Sequence, residues 1–497
     1  TLSSDLAIKA DSLMGKEVTV HIRGTRKKVF HGFVNTFKAG EIQSHNLRKY
    51  TLTIVPWLWF LKRTENRRIF QNKDTKEIIK AVFDSLNFSD YDIQDKGGKR
   101  REYCVQYGES DFKFVSRLMA EDGFSYYFKH TDKKHTLVVV DQQSAFESCT
   151  SSALTYSLGS VLKDEISHWE HCYDYRTGAW TINDYNFKEP NKSQLVESAT
   201  QSKFTDNKKF KHYDYPGLYD YTSGADIAKL RMEADEVPLN LIQGASNCID
   251  LFAGGVMKID KHESKDERGD YLLLKVHHTA QDHSYFAGEA GSGPLYENSF
   301  ECIPASVRFR PRPIERPVMK GPQSAIVTGP AGEEIYIDEY GRIKVQFIWD
   351  REGKKDENTS CYLRVMQSWA GNQWGASFIP RIGHEVIVTF LDGDPDRPIV
   401  TGTVYNGANK PVYSSKTQSG IKTRSTKGAS AENFNELRFE DAKGSEQIFI
   451  HAEKNLDTEV ENDETHTVDH DRTKTIKHDE NSTIENDRNK TVNNNQT

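Results

Sequence analysis

Apolar and polar residues alternate over 18–22, 29–37 and 50–60, the period-two pattern of half-buried strands. The period then changes. Asp74 followed by Glu77 predicts a capping box, and Ile78, Ile79, Val82, Phe83 and Leu86 share one helical face. A second short helix is predicted to open at Ser110, to bury Phe114, Val115, Leu118 and Met119, and to stop at Gly123. Strands are expected at 124–128, 136–140 and 271–277, with a helix at 225–236.

Residues 308–322 contain four prolines together with Arg308, Arg310, Arg312 and Arg316. That density of proline suits an extended, solvated linker. Beyond it, short strands are expected at 335–337, 343–349, 362–366, 386–391 and 399–405, with Asp392, Asp394 and Asp396 in the last turn. Five short strands in this space suit an oligonucleotide/oligosaccharide-binding (OB) barrel. A polar loop and a strand pair near 436–439 and 447–451 complete the connector.

The last 43 residues carry a strict repeat. Val460, Val468, Ile476, Ile484 and Val492 fall eight residues apart, and Thr precedes four of them. Two positions after the first four stand Asn462, His470, His478 and Asn486, each followed by Asp. Eight is neither a heptad nor a helical period. Val, Ile and Thr favour extended chain. The Asn/His position is the expected bend, because these side chains tolerate positive φ better than most. One aliphatic per octad is too little to fill a single-chain β-helix. Three chains around one axis would pool these residues into a narrow core, so the repeat predicts a trimer with Val460, Val468, Ile476, Ile484 and Val492 inside.

Charge sharpens this picture. Residues 455–497 hold eleven acids against five Lys/Arg, out of a whole-chain net of −7, so the remainder is almost neutral. Neither part offers a general attraction for nucleic acid or anionic membrane. The longest apolar run, 52–61, is half the length of a membrane helix. No basic-then-apolar leader follows Thr1, and the six cysteines lack CxxC spacing, which suits a reduced, cytosolic origin without a cysteine-based metal site.

The search for catalytic chemistry yields no GxSxG, Walker loop or HExxH, so no catalytic, cofactor or metal residue is assigned and no cofactor is expected. The alternating Asp392, Asp394 and Asp396 lack the twelfth-position Glu of a calcium loop, Thr403 standing there instead, and read as a turn. His277 and His278 are strand neighbours and face opposite sides. His466, His470 and His478 are read as hydrated imidazoles beside Asp, with an axial ion the alternative. Glu432 and Glu436 are read as surface residues. Two rival readings are an OB nucleic-acid binder stacking bases on Trp349, Trp369 and Trp374, and a tail-spike hydrolase. Interleaved Asp338, Glu339, Asp350 and Glu385 leave the first without a basic groove.

Residues 101–107 with 110–123, and the stretches 329–349, 379–406 and 435–455, resemble VgrG, the valine-glycine-repeat spike family of bacterial type VI secretion, and the resemblance covers nearly the whole chain. It implies a mainly β fold with some α: a phage-hub-like region of barrel-like domains (1–307), a linker (308–322), an OB-fold collar (323–407), a connector (408–454) and a C-terminal triple-stranded parallel β-helix formed by a trimer (455–497). Against the family pattern, the chain is expected to begin inside the hub and to end inside the repeats. The glycine that often follows the family's valine by two positions is replaced here by Asn or His. Implied partners are two further copies, an Hcp hexamer tube at the hub, a PAAR-type tip protein at the needle, and effectors or adaptors, with no nucleic acid. The implied location is cytoplasmic before firing, then secreted through the apparatus.

Overall fold

The computed structural model describes residues 1–23, 26–43, 46–94, 99–149, 153–160, 162, 164–202, 206–219, 223–282 and 296–494. They fall into two units, Thr1–Lys410 and Pro411–Thr497.

The first unit opens with a four-stranded antiparallel sheet, ordered Leu2–Ser3, Leu47–Val55, Lys27–Gln43, Glu17–Arg23. The strand expected over 50–60 ends at Val55, and Trp57–Arg63 forms 3₁₀ turns. Pro56 has no N–H for the ladder. Trp57, Leu58 and Leu61 are spaced for one helical face, and all three are buried. Helix α1 spans Thr75–Ser85 and has the expected capping box between Asp74 and Glu77. Helix α2 spans Asp111–Glu121 beneath the Ser110 cap, and the chain leaves it through Gly123 at φ +73°. The apolar faces of both helices share one core with Trp57, Leu58, Leu61 and Phe70.

A seven-stranded sheet follows, in which the strand expected at 271–277 is the longer Gly269–Ala280. A three-stranded sheet (Ala179–Ile182, Val196–Ala199, Lys211–Asp214) packs under helix α3, Gly224–Glu236. The OB region is a five-stranded sheet ordered Lys344–Phe347, Gln323–Thr328, Glu385–Phe390, Pro398–Val404, Arg364–Val365. Its core is Ala325, Val327, Val345, Phe347, Val386, Val388 and Val400. The strand expected at 335–337 does not form. There the Asp338 carboxylate accepts from the backbone N–H groups of Tyr340 and Arg342 at 3.0 and 2.9 Å, so the chain turns instead of pairing.

The 308–322 segment departs from the solvated linker its composition predicts. Arg310 is buried, donating to Glu233 at 2.9 Å and to the carbonyls of Gly123 and Asp141 at 2.5 and 3.1 Å. Arg316 reaches Glu121 of α2 at 2.9 Å, and Asp394 and Asp396 of the OB turn at 3.2 and 3.0 Å. Asp396 also accepts from the Val105 N–H at 2.6 Å. The alternating aspartates therefore hold an arginine. Burial would raise the Glu121 pKa, but Arg316, Arg101 and Arg117 hold it well below the ordinary carboxylate range. Burial, with Asp394 beside it, pushes Asp396 up to about 6. Arg316→Ala would strand these carboxylates, a defect worth about 3–5 kcal/mol. The urea midpoint should fall accordingly, and an unchanged midpoint would show the network to be energetically idle.

A histidine cluster ties the first sheet to the hairpin formed by Ser125–His130 and His135–Val140. His135 Nε2 accepts from the Trp57 N–H at 2.9 Å, which leaves the Nδ1 proton to donate to His31 Nδ1 at 3.0 Å. His130 Nδ1 accepts from the His31 N–H at 3.1 Å. His278 meets the Tyr296 hydroxyl at 2.7 Å and the edge of Phe30. Burial lowers His130, His135 and His278 from 6.5 to about 4. These rings are neutral in the fold, whereas the unfolded chain protonates them near pH 6.5. Stability is thus fully present above pH 6.5 and declines as pH falls toward 4. Urea unfolding at pH 7.5 and pH 5 should give a clearly lower midpoint at pH 5.

Candidate assembly surface

The second unit begins with an antiparallel sheet, Gln418–Lys422, Glu436–Glu440 and Gln447–His451. The first of these strands lies where sequence predicted only a polar loop. Gly420 is required there, because a Cβ would stand 2.2 Å from the Leu437 carbonyl oxygen. Pairing puts Ile421, Leu437 and Ile450 in one row, and Phe439 opposite Ile448 in the next. All five share a face and are exposed, Ile448 and Ile450 at 67% and 63%. On the other face Arg438 lies over the Phe449 ring, and Glu436, expected at the surface, is buried beside Arg438 at 3.5 Å. Only pairing reveals which side of the strand Glu436 takes.

The repeats follow. The chain bends at 461–462, 469–470, 477–478, 485–486 and 493–494, one bend per octad. Asn462, His470, His478 and Asn486 each occupy the second bend position. Asn462 donates to Asp463 at 3.2 Å, and Nδ1 of His470 and His478 meets Asp471 and Asp479 at 3.0 and 2.9 Å. At these three bends the Asp thus meets the neighbouring side chain. Val460, Val468, Ile476, Ile484 and Val492 are 44–49% exposed in the single chain, nearly the same value at every repeat. This uniform half-exposed stripe, with the apolar sheet face that precedes it in sequence, is surface that water does not favour.

Of the other candidate residues, Trp369 and Trp374 stay exposed at the surface. His277 and His278 lie in one strand, with His278 turned to Tyr296. Trp349 stacks on Phe347, while Trp369 and Trp374 meet edge-on at 4.9 Å across a tight loop. Among the described residues, no group of three His, Cys, Asp or Glu could hold a metal ion, and no helix is long and apolar enough to cross a membrane. The sheet face escaped sequence reading, although the alternation of Leu437 with Phe439 and of Ile448 with Ile450 was the available signal.

Comparison with known proteins assigns these parts. Residues 1–284 match the phage tail baseplate hub (GPD) family, 335–405 the type VI secretion system/phage-baseplate injector OB domain, and 419–497 the bacteriophage T4 gp5 C-terminal trimerisation domain. A component of the Escherichia coli type VI secretion system, described as similar to the T4 tail proteins gp27 and gp5, shares the fold with a TM-score of 0.57 at 22% identity, over 81% of this chain and 91% of its own. A chain of the Francisella PdpA-VgrG complex gives 0.55 at 11% identity, over 86% of this chain and 65% of that one. The fold is thus that of a phage-baseplate-like hub joined to an OB domain and a trimerisation stem. The type VI secretion system spike proteins VgrG1c and VgrG1a of Pseudomonas aeruginosa are 42% and 40% identical over 94% and 93% of this chain. The chain belongs to the VgrG spike family. It spans 65% and 73% of the lengths of those two relatives.

Ile476 occupies the middle of the stripe and tests whether it is a core. Burying one aliphatic side chain is worth roughly 1.5–3 kcal/mol, so three copies of Ile476→Asp would lose about 5–9 kcal/mol per trimer. The stem should fray from this octad, and protease sensitivity there should rise, while Lys477→Asp should change little. Equal resistance of Ile476→Asp and the parent chain would remove the period-eight residues from the core.

Proposed function

We propose that this chain is the structural spike of a type VI secretion apparatus, acting as a homotrimer that joins a secreted tube to a membrane-puncturing needle. The observation that carries the reading is the uniform half-exposed aliphatic stripe at a period of eight, within a segment that matches a trimerisation domain. Three copies would bring five aliphatic layers to one axis, with Val460, Val468, Ile476, Ile484 and Val492 inside. Backbone groups would pair between chains and leave no free lateral edge. Asn462, His470, His478 and Asn486 would turn each chain to the next layer. The acidic surface would keep the needle soluble and discourage side-by-side association.

In this reading the region at 1–307 seats on an Hcp hexamer, a PAAR-type protein caps the needle, and effectors or adaptors ride on the assembly. The trimer is cytoplasmic before firing and is then secreted through the apparatus. The work is mechanical, and no catalytic or cofactor site and no nucleic-acid partner enter it. One relative, from Vibrio cholerae, is named an actin cross-linking toxin, and the match covers 40% of its length. The part shared with this chain is, in our reading, the delivery scaffold.

Light scattering tests the assembly directly. The expected mass is three times the 56.8 kDa chain, about 170 kDa. A monodisperse monomer that persists at high concentration would overturn it.

A further inference from the structure

The first unit contains a cleft of about 550 Å³ between the 99–122 and 184–231 segments on one side and the OB sheet on the other. Its volume is that of a small-molecule site. Among the described residues, its polar lining has hydrogen-bond donors to spare. Arg231 of α3 has no hydrogen-bond or ion-pair partner among them. Burial draws its pKa below the ordinary value, and the fields of Glu121 and Asp214 do not offset this. Arg364 of the OB sheet lies over the Phe187 ring at 4.9 Å and likewise meets no carboxylate. Arg397 forms an ion pair with Asp184 at 3.3 Å through one nitrogen, while its Nη1 is buried without an acceptor. The Tyr103 hydroxyl is also buried without a partner.

The acids of the lining are already engaged. Glu121 serves Arg101, Arg117 and Arg316; Asp122 serves Arg101; Asp184 serves Arg397; Asp394 and Asp396 share Arg316. Glu102 stands at the exposed rim. Among the described residues, these pairings leave the guanidinium groups of Arg231 and Arg364, Nη1 of Arg397 and the Tyr103 phenol without an acceptor. A buried donor without an acceptor costs about 1–3 kcal/mol. An oxygen-rich anion supplies several acceptors at once, and arginine's planar fork matches phosphate oxygens in pairs.

We propose that this cleft is a binding site for a multivalent phosphate-type oxyanion, held by Arg231 and Tyr103 from the hub side and by Arg364 and Arg397 from the OB side. Such an anion bridges the hub and OB regions and supports their packing. The proposal is independent of the spike reading.

Isothermal titration of the full chain with pyrophosphate tests it, with sodium chloride at matched ionic strength as the control. ATP as a second probe separates a nucleotide from a free oxyanion: tighter binding of ATP points to the nucleotide, and equal or weaker binding to the free anion. Saturable binding is expected, together with a melting temperature raised above the chloride control. Arg231→Gln and Arg364→Gln should each weaken binding at least tenfold, whereas Arg100→Gln, at the rim and paired with Glu77 at 3.2 Å, should stay within twofold. If Arg231→Gln does not fold, the half-buried Arg364→Gln decides alone. No saturable heat beyond the chloride control, or unchanged affinity in Arg364→Gln, overturns the site.

Discussion

One aliphatic side chain in eight residues is too little to exclude water from a single chain, and the stem depends on that shortage. The hub and OB regions satisfy themselves: Phe83, Phe114 and Leu118 are fully buried, as are Val345 and Val388. The stem has no such core. Its five period-eight residues stay half exposed, and the sheet before them in sequence presents Ile448 and Ile450 to water. A repeat with so few hydrophobes gains stability only through additional copies, so its folding and assembly become one event. Charge follows from the same constraint. With the aliphatics confined to a single stripe, the other positions are free to be acidic, Asn or Thr, which keeps a long exposed element soluble.

The seam between the α helices and the OB sheet works on a different principle. It is held by carboxylates and guanidinium groups where the regions themselves have apolar cores. Arg316 alone reaches Glu121, Asp394 and Asp396. Such buried pairs cost desolvation and add little net stability, but they tolerate few geometries. A segment rich in proline and arginine suits this place, because proline limits the unfolded chain while arginine supplies forked donors on both sides. The donors left over in the adjoining cleft arise in the same way. Arginines crowd the seam, and those already paired consume the acids within reach.

Local pattern carried much of the architecture. Asp74 with Glu77, and Ser110 with Gly123, mark helix ends through bonds made within three or four residues, so the string of residues suffices. The octad was legible for a similar reason: its period lies in the spacing of Val460 to Val492, and bends fall at Asn462, His470, His478 and Asn486. The OB strands at 385–390 and 398–404 are rich in β-branched residues, whereas 335–337 has two isoleucines and does not pair, because Asp338 turns the backbone first.

By itself, then, the sequence determined the elements whose bonds are local, the period of the stem, and the need for more than one chain to bury it. Tertiary structure decided what depends on distant partners. The linker arginines became buried because Glu121, Glu233, Asp394 and Asp396 converge on them from far along the chain. Glu436 went inside because strand pairing selects a face. The three-stranded sheet acquired an apolar face because Ile421 is brought beside Leu437 and Ile450. Arg231 and Arg364 were left unpaired because folding distributed the nearby carboxylates elsewhere. Charge and hydropathy are properties of single positions, but burial and pairing belong to sets of positions that only the folded chain assembles.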